Sequence, residues 1–154
     1  MKIELLESLL TGHEGIDGEH RQIVDAINQV SKVIDDGEFD KCPDLLDNFL
    51  NICANHFESE EKLLAELGYP DLQQHIVFHR ELTLKAKAVR VLCMDFDAPQ
   101  SIRRCFDEMS ALLIEDVVKG DMAFVSFLID KGVASSRLHV GLFEKLNFPK
   151  DKIA

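Results

Sequence analysis

The sequence predicts an all-α protein: an antiparallel up-down-up-down four-helix bundle with an N-terminal arm and a short C-terminal helical extension. Three observations carry that prediction. Four long segments repeat apolar residues at spacings of three and four. Proline and glycine are sparse, at 4 and 8 residues, and fall where helices should begin or end. The connections between segments are short, which makes successive helices antiparallel neighbours. No strand-like alternation competes with this pattern, and no internal repeat interrupts it.

The first helix is expected over about 17–34, with Asp17 as its N-cap and an inward stripe of His20, Ile23, Ile27, Val30 and Ile34. The run DDGEFD ends it. The second helix opens at Pro43, which suits a first turn. Its stripe is Leu46, Phe49, Cys53, His56, Glu60, Leu63 and Leu67, and Gly68 is placed to stop it. Pro70 opens the third, with Leu72, His75, His79, Leu82, Ala86, Val89 and Cys93. DFDAP then separates it from a fourth helix, capped by Asp97 with Pro99 in its first turn. That helix carries Ile102, Phe106, Met109, Leu113 and Asp116, then Val117, Asp121, Phe124 and Leu128. The seam slips by one residue between Asp116 and Val117. Gly132 is expected to end the helix. Residues 133–154 form the extension, with an amphipathic piece carrying Leu138, Leu142, Phe143 and Leu146.

A chain of 154 residues makes one domain, 1–154, with room for a real core. Hydrophobic residues at 46% and charged residues at 29% fit a globular protein. The net charge of −11 argues against nucleic acid and anionic membranes as partners. Absent Trp and a single Tyr leave little for stacking on bases. No apolar run reaches membrane-spanning length, and MKIELLESLL does not read as a signal peptide, so a cytoplasmic location is expected. In that setting the four cysteines, 42, 53, 93 and 105, are expected to be reduced thiols in or near the core.

The histidines carry the functional information. His20, His56, His75 and His79 lie on the apolar stripes, as do Glu60, Asp116 and Asp121. His56 and Glu60 are four residues apart on one helix face, and His75 and His79 repeat that spacing on the next. Any one of these side chains, taken alone, is an ordinary hydrogen-bonded core residue. Together they are not: burying three carboxylates without cations costs several kcal/mol per ion. The stripes offer no Lys or Arg, since Arg80, Lys85, Arg103 and Arg104 fall on outer or flanking faces. Metal ions supply the missing charge. Seven donors exceed one tetrahedral zinc and suit two ions of higher coordination number with bridging carboxylates. Imidazole plus carboxylate without thiolate favours iron, with manganese or zinc behind it.

The set D-x-x-H, H-F-x-x-E-E, Y-P-x-x-x-x-H-x-x-x-H and a late Asp resembles the hemerythrins, specifically the bacterial ones. The matching stretches are IDGEH at 16–20, HFESEEKLLAELGYPDLQQHIVFH at 56–79 and DVVKGDMAFVSFLIDKG at 116–132. The resemblance covers about residues 13–132. It implies two non-heme irons bridged by an oxo or hydroxo group and two carboxylates, with dioxygen bound reversibly at one iron. By position it implies Glu60 and Asp121 as the bridges, His20 and His56 on the iron that receives dioxygen, and His75 and His79 on the other. The family's third ligand on that second iron is a histidine, and here the position holds Asp116.

This departure has consequences. Five residues span about 140° on an ideal helix, so Asp116 and Asp121 need a local distortion to face one site. The slipped seam and Gly120 would permit a π-type bulge. Asp116, shorter than histidine, ligates directly, ligates through water, or leaves a position open. Its added charge should lower the reduction potential. Four functions are weighed: a dioxygen carrier or store; an oxygen or redox sensor signalling to a protein partner through the tail; a di-iron oxidase or peroxidase; and an iron-binding bundle without oxygen chemistry. The absence of a separate acid–base pair counts against the enzyme. Dioxygen or a similar diatomic is the expected ligand. Ile23, Ile27, Phe49, Phe57 and Leu82 are the expected pocket wall. His13 is expected as a solvated loop residue and His139 as part of the tail.

Overall fold

The computed structural model describes residues 1–94 and 99–135, and the architecture is all helical. Helix α1 spans Glu14–Asp35, α2 Cys42–Leu67, α3 Leu72–Leu92 and α4 Pro99–Glu115. A π-helical segment, Asp116–Gly120, continues α4 directly. A 3-10 turn, Asp121–Ala123, and a short α5, Val125–Asp130, follow. α1 packs on α2 and α4, and α3 packs on the same two, so the four long helices form a ring. Their directions follow from chain length. α1 has 22 residues, about 33 Å. The six-residue link to α2 spans at most about 21 Å, so α2 must run back along α1. The four residues between α2 and α3 impose the same reversal.

The helix stops follow local chemistry. Gly68 ends α2 in the left-handed region, at φ 73°, and its N–H meets the Ala65 and Leu64 carbonyls. The start of α1 differs from expectation. His13, not Asp17, is the N-cap: its Nδ1 accepts from the Ile16 N–H at 3.2 Å. Asp17 lies inside the first turn, buried, and accepts from the Thr11 N–H and hydroxyl and the Gly12 N–H. A carboxylate in the first turn is favoured by the helix dipole, and here it also anchors the incoming arm. Farther out, Ile3 exchanges two hydrogen bonds with Asn28, and Ile3, Leu5 and Leu9 pack on the core.

The cysteine expectation is corrected. Cys93 and Cys105 are joined by a disulfide, while Cys42 and Cys53 are free and buried. The reason is spatial: α3 ends where α4 passes, with the two Cα atoms 5.0 Å apart, inside the disulfide range. Nothing in a spacing of 12 residues announces that. Asp97, His139 and the expected amphipathic extension lie outside the described residues.

The core is split. A large cluster holds Ile23 to Ile34 of α1, Leu46, Phe49 and Phe57 of α2, Leu82 to Val89 of α3, and Phe106 to Val117. A small one holds Ile16, Leu64, Phe124 and Leu128 at the other end. His20, Glu60, His75, His79 and Asp121 fall, along each helix, between the two clusters, and His56 lies at the edge of the large one, between Cys53 and Phe57. A polar layer thus interrupts an otherwise continuous apolar interior.

Candidate metal centre

Each helix delivers its polar pair to that layer by its own repeat. His56 and Glu60 are one turn apart on α2, and His75 and His79 one turn apart on α3. Asp116 and Asp121 need more. They sit at the two ends of the π-helical segment, where the Asp121 N–H donates to the Asp116 and Val117 carbonyls. The wider turn brings residues five apart onto one face, as the slipped seam implied. Gly120 makes room for it: a Cβ there would lie 2.6 Å from Phe78 Cε1 and 3.5 Å from His75 Cε1.

All seven expected side chains come together and are buried, from 0% exposure for His20 and Asp121 to 7% for His75. The four imidazoles converge through Nε2. His20 Nε2 and His56 Nε2 are 3.2 Å apart. Asp121 Oδ2 lies 2.8 Å from His20 Nε2, and Asp121 Oδ1 lies 4.0 Å from His75 Nε2. Glu60 Oε1 contacts His75 Nε2 and lies 3.3 Å from His79 Nε2; its Oε2 is 3.6 Å from His56 Nε2. Asp116 Oδ2 is 3.2 Å from His56 Nε2, and its Oδ1 is 3.6 Å from His79 Nε2. Glu115 points elsewhere, to the surface and Lys85.

Hydrogen bonds account for only some of these contacts, His56 with Asp116 and His75 with Glu60 among them. Both Asp121 oxygens, Glu60 Oε2, Asp116 Oδ1 and His79 Nε2 lack a hydrogen-bond partner although buried. Such orphans are costly in a native interior. Asp121 Oδ2 is near His20 Nε2 without the alignment of a hydrogen bond. Atoms bound to one ion at about 2.1 Å and at right angles would sit about 3 Å apart, lone pairs facing a common point. Two groups each gather four donor atoms within 4.8 Å of one another: His20, His56, Glu60 and Asp121, and Glu60, His75, His79 and Asp121. They share both carboxylates, which is the arrangement of two cations with two bridges. The side chains present therefore fit a cation pair.

The electrostatics of the protein side chains alone are strained in a matching sense. Burial and the charges of Asp116 and Glu60 hold the Asp121 carboxyl well above its usual range. Burial opposes charge on His56, but hydrogen bonds with Asp116 and Glu19 hold its pKa up to about 10. His20 is pushed down by burial and by the neighbouring His56. An aspartate raised toward its acid form and a histidine raised toward its charged form are what result when the side chains of a cation site titrate alone.

Two functional residues escaped the sequence reading. His56 Nδ1 donates to Glu19 at 2.8 Å, and His79 Nδ1 donates to Glu61 at 2.8 Å. Each fixes its ring so that Nε2 faces inward. Glu61 follows the inward Glu60 but lies off the apolar stripe, and both Glu19 and Glu61 are about a quarter exposed. The available signal was the rule that a ligating histidine needs an acceptor on its other nitrogen. Of the expected wall, Ile23, Phe49, Phe57 and Leu82 line a cavity beside Asp116; Ile27 is buried in the core but does not line it. His13, expected in a solvated loop, caps α1.

A ring of antiparallel helices with a buried layer of imidazoles and shared carboxylates defines a helical-bundle cation-binding protein. The chain matches the hemerythrin HHE cation binding domain over residues 11–124. It belongs to the hemerythrin family. It is 24% identical over 118 residues to the bacteriohemerythrin of Clostridium acetobutylicum, covering 74% of this chain and 92% of that one. It is 26% identical over 107 residues to the bacteriohemerythrin of Pseudomonas aeruginosa, covering 70% of this chain and 66% of the relative. The function class that follows is a non-heme iron protein that binds dioxygen.

Proposed function

We propose that the chain holds two irons between His20, His56, Glu60, His75, His79, Asp116 and Asp121, and serves as a dioxygen carrier, store or sensor. The observation that carries this for six of the seven is the pair of donor groups sharing Glu60 and Asp121; Asp116 belongs to neither group and joins the set through its contacts with His56 Nε2 and His79 Nε2. Once bound, the iron pair supplies the reversible coordination of dioxygen; the remaining work falls to the chain. Glu60 and Asp121 set the spacing of the two positions. Glu19 and Glu61 orient His56 and His79 through Nδ1 and raise their basicity toward a cation. Apolar residues, Phe49, Phe57 and Leu82 among them, exclude water and external reductants. For a sensor, the partner surface would include the tail beyond residue 135.

The chain has no described helix long and apolar enough to cross a membrane. A cytoplasmic location is part of this proposal, and the disulfide is the observation against it, since such bonds are rare in reducing compartments. Thiol counting in freshly lysed cells decides that point. The third buried carboxylate favours one second reading, a di-iron oxidase or peroxidase. Sustained consumption of dioxygen or peroxide over many turnovers measures it.

The test is an oxygen cycle followed by optical spectroscopy. Anaerobic loading with ferrous iron, exposure to air and removal of oxygen should produce a visible band that appears and then vanishes, with two irons retained per chain. A chain that takes up one zinc or no iron would contradict the proposal.

A further inference from the structure

The third carboxylate is placed differently from a ligand confined to one histidine pair. Asp116 occupies the position where the family resemblance implies a histidine serving the ion of His75 and His79. Its nearest donor atom is instead on the other pair: Oδ2 lies 3.2 Å from His56 Nε2 and 4.0 Å from His20 Nε2, while Oδ1 lies 3.6 Å from His79 Nε2. Each of its oxygens therefore addresses a different histidine pair. Glu60 and Asp121 show the same division, Oε2 and Oδ2 toward His56 and His20, Oε1 and Oδ1 toward His75. Asp116 is 2% exposed, and its Oδ1 has no hydrogen-bond partner.

Asp116 also faces the other way. It is the one charged residue lining a cavity of about 10 Å³, room for a single water-sized molecule. The rest of the lining is apolar apart from Cys53, with Ile23, Phe49, Phe57, Leu82 and Leu113 among it. An apolar pocket of that size suits a neutral diatomic and not a hydrated anion. Asp116 thus separates an apolar antechamber from the Nε2 atoms.

We infer that Asp116 is a third bridging carboxylate, spanning both cation positions and standing between them and the apolar cavity, so that a small ligand entering from the cavity must displace it. This rests on the two-iron reading above and adds to it. An aspartate that spans occupies a position on the His20/His56 side, and its charge repels anions. A neutral ligand meets only the displacement step. A histidine at 116 could serve one ion and would leave the other side open.

The test pairs diffraction with ligand titration on the full chain. In a crystal structure of the iron-loaded wild-type protein, Asp116 Oδ1 and Oδ2 should each lie about 2.0–2.2 Å from a different ion. Azide, titrated optically into the diferric protein, should bind Asp116→His and Asp116→Asn tighter than wild type by about tenfold or more. Both Asp116 oxygens on one ion, or neither bound, would overturn the bridge. Equal azide affinity in wild type and both variants would overturn the barrier. A wild-type chain that takes up no iron would bring down the two-iron reading itself; two irons with an unbound Asp116 would remove only this inference.

Discussion

The tightest constraints act at single nitrogen atoms. His56 and His79 each present Nε2 inward because Nδ1 is committed to Glu19 or Glu61. His20 has no such partner, and its Nδ1 is buried without a hydrogen bond. The two carboxylates should therefore carry weight out of proportion to their exposure. Glu19→Ala and Glu61→Ala are each expected to weaken metal affinity about 10- to 100-fold, measured by competition with a coloured chelator, while far-ultraviolet circular dichroism stays unchanged. Asp116 supplies the other prediction at this scale. Two ferrous ions with three carboxylates carry one positive charge less than with two, which stabilises the ferric form. Asp116→His should slow autoxidation of the reduced protein. An unchanged first-order rate in air would count against this charge argument.

At the scale of elements, the π-helical segment decides whether the site closes. An α-helical turn there would carry Asp121 about 140° away from Asp116. Gly120 permits the wider turn to approach α3, because any Cβ would press on Phe78. The expected effect has a diagnostic sign. In an open helix, Gly→Ala stabilises by about 0.4–1 kcal/mol. Gly120→Ala should instead destabilise by about 1–3 kcal/mol through overpacking, read as a lowered midpoint of urea unfolding. Stabilisation by the alanine would show that Phe78 yields freely. The distortion itself was legible in the sequence, as a one-residue slip between Asp116 and Val117, because a change of register leaves a mark on the apolar stripe. The Cys93–Cys105 bond and the His13 cap were not legible. The first depends on how two helices pass in space, and the second on a single local hydrogen bond that the periodicity does not encode.

The whole molecule stores the cost of the site. Three carboxylates and four imidazoles divide its core into two apolar clusters, and without cations protons must stand in. His56, with its pKa held up to about 10, is charged at neutral pH, and Asp121 is held toward its protonated form. Cation binding must expel those protons. Iron or zinc uptake at pH 7 should thus acidify a weakly buffered solution, and metal affinity should fall as pH falls. A pH-independent affinity would show that the site holds no such protons. The bundle and the seven converging residues were legible at this scale because both rest on long-range periodicity. Glu19 and Glu61 were not, since a carboxylate reaching inward from a half-exposed position looks like any surface acid.

The central claim is that cations make this interior tolerable. Thermal unfolding of chelator-stripped protein, with and without two equivalents of anaerobic ferrous iron, tests it most directly. Ligands that bind only the native state raise its stability by mass action, so the midpoint should rise steeply up to two equivalents and then level off. A midpoint indifferent to iron, or one that saturates at a single equivalent, would contradict the account.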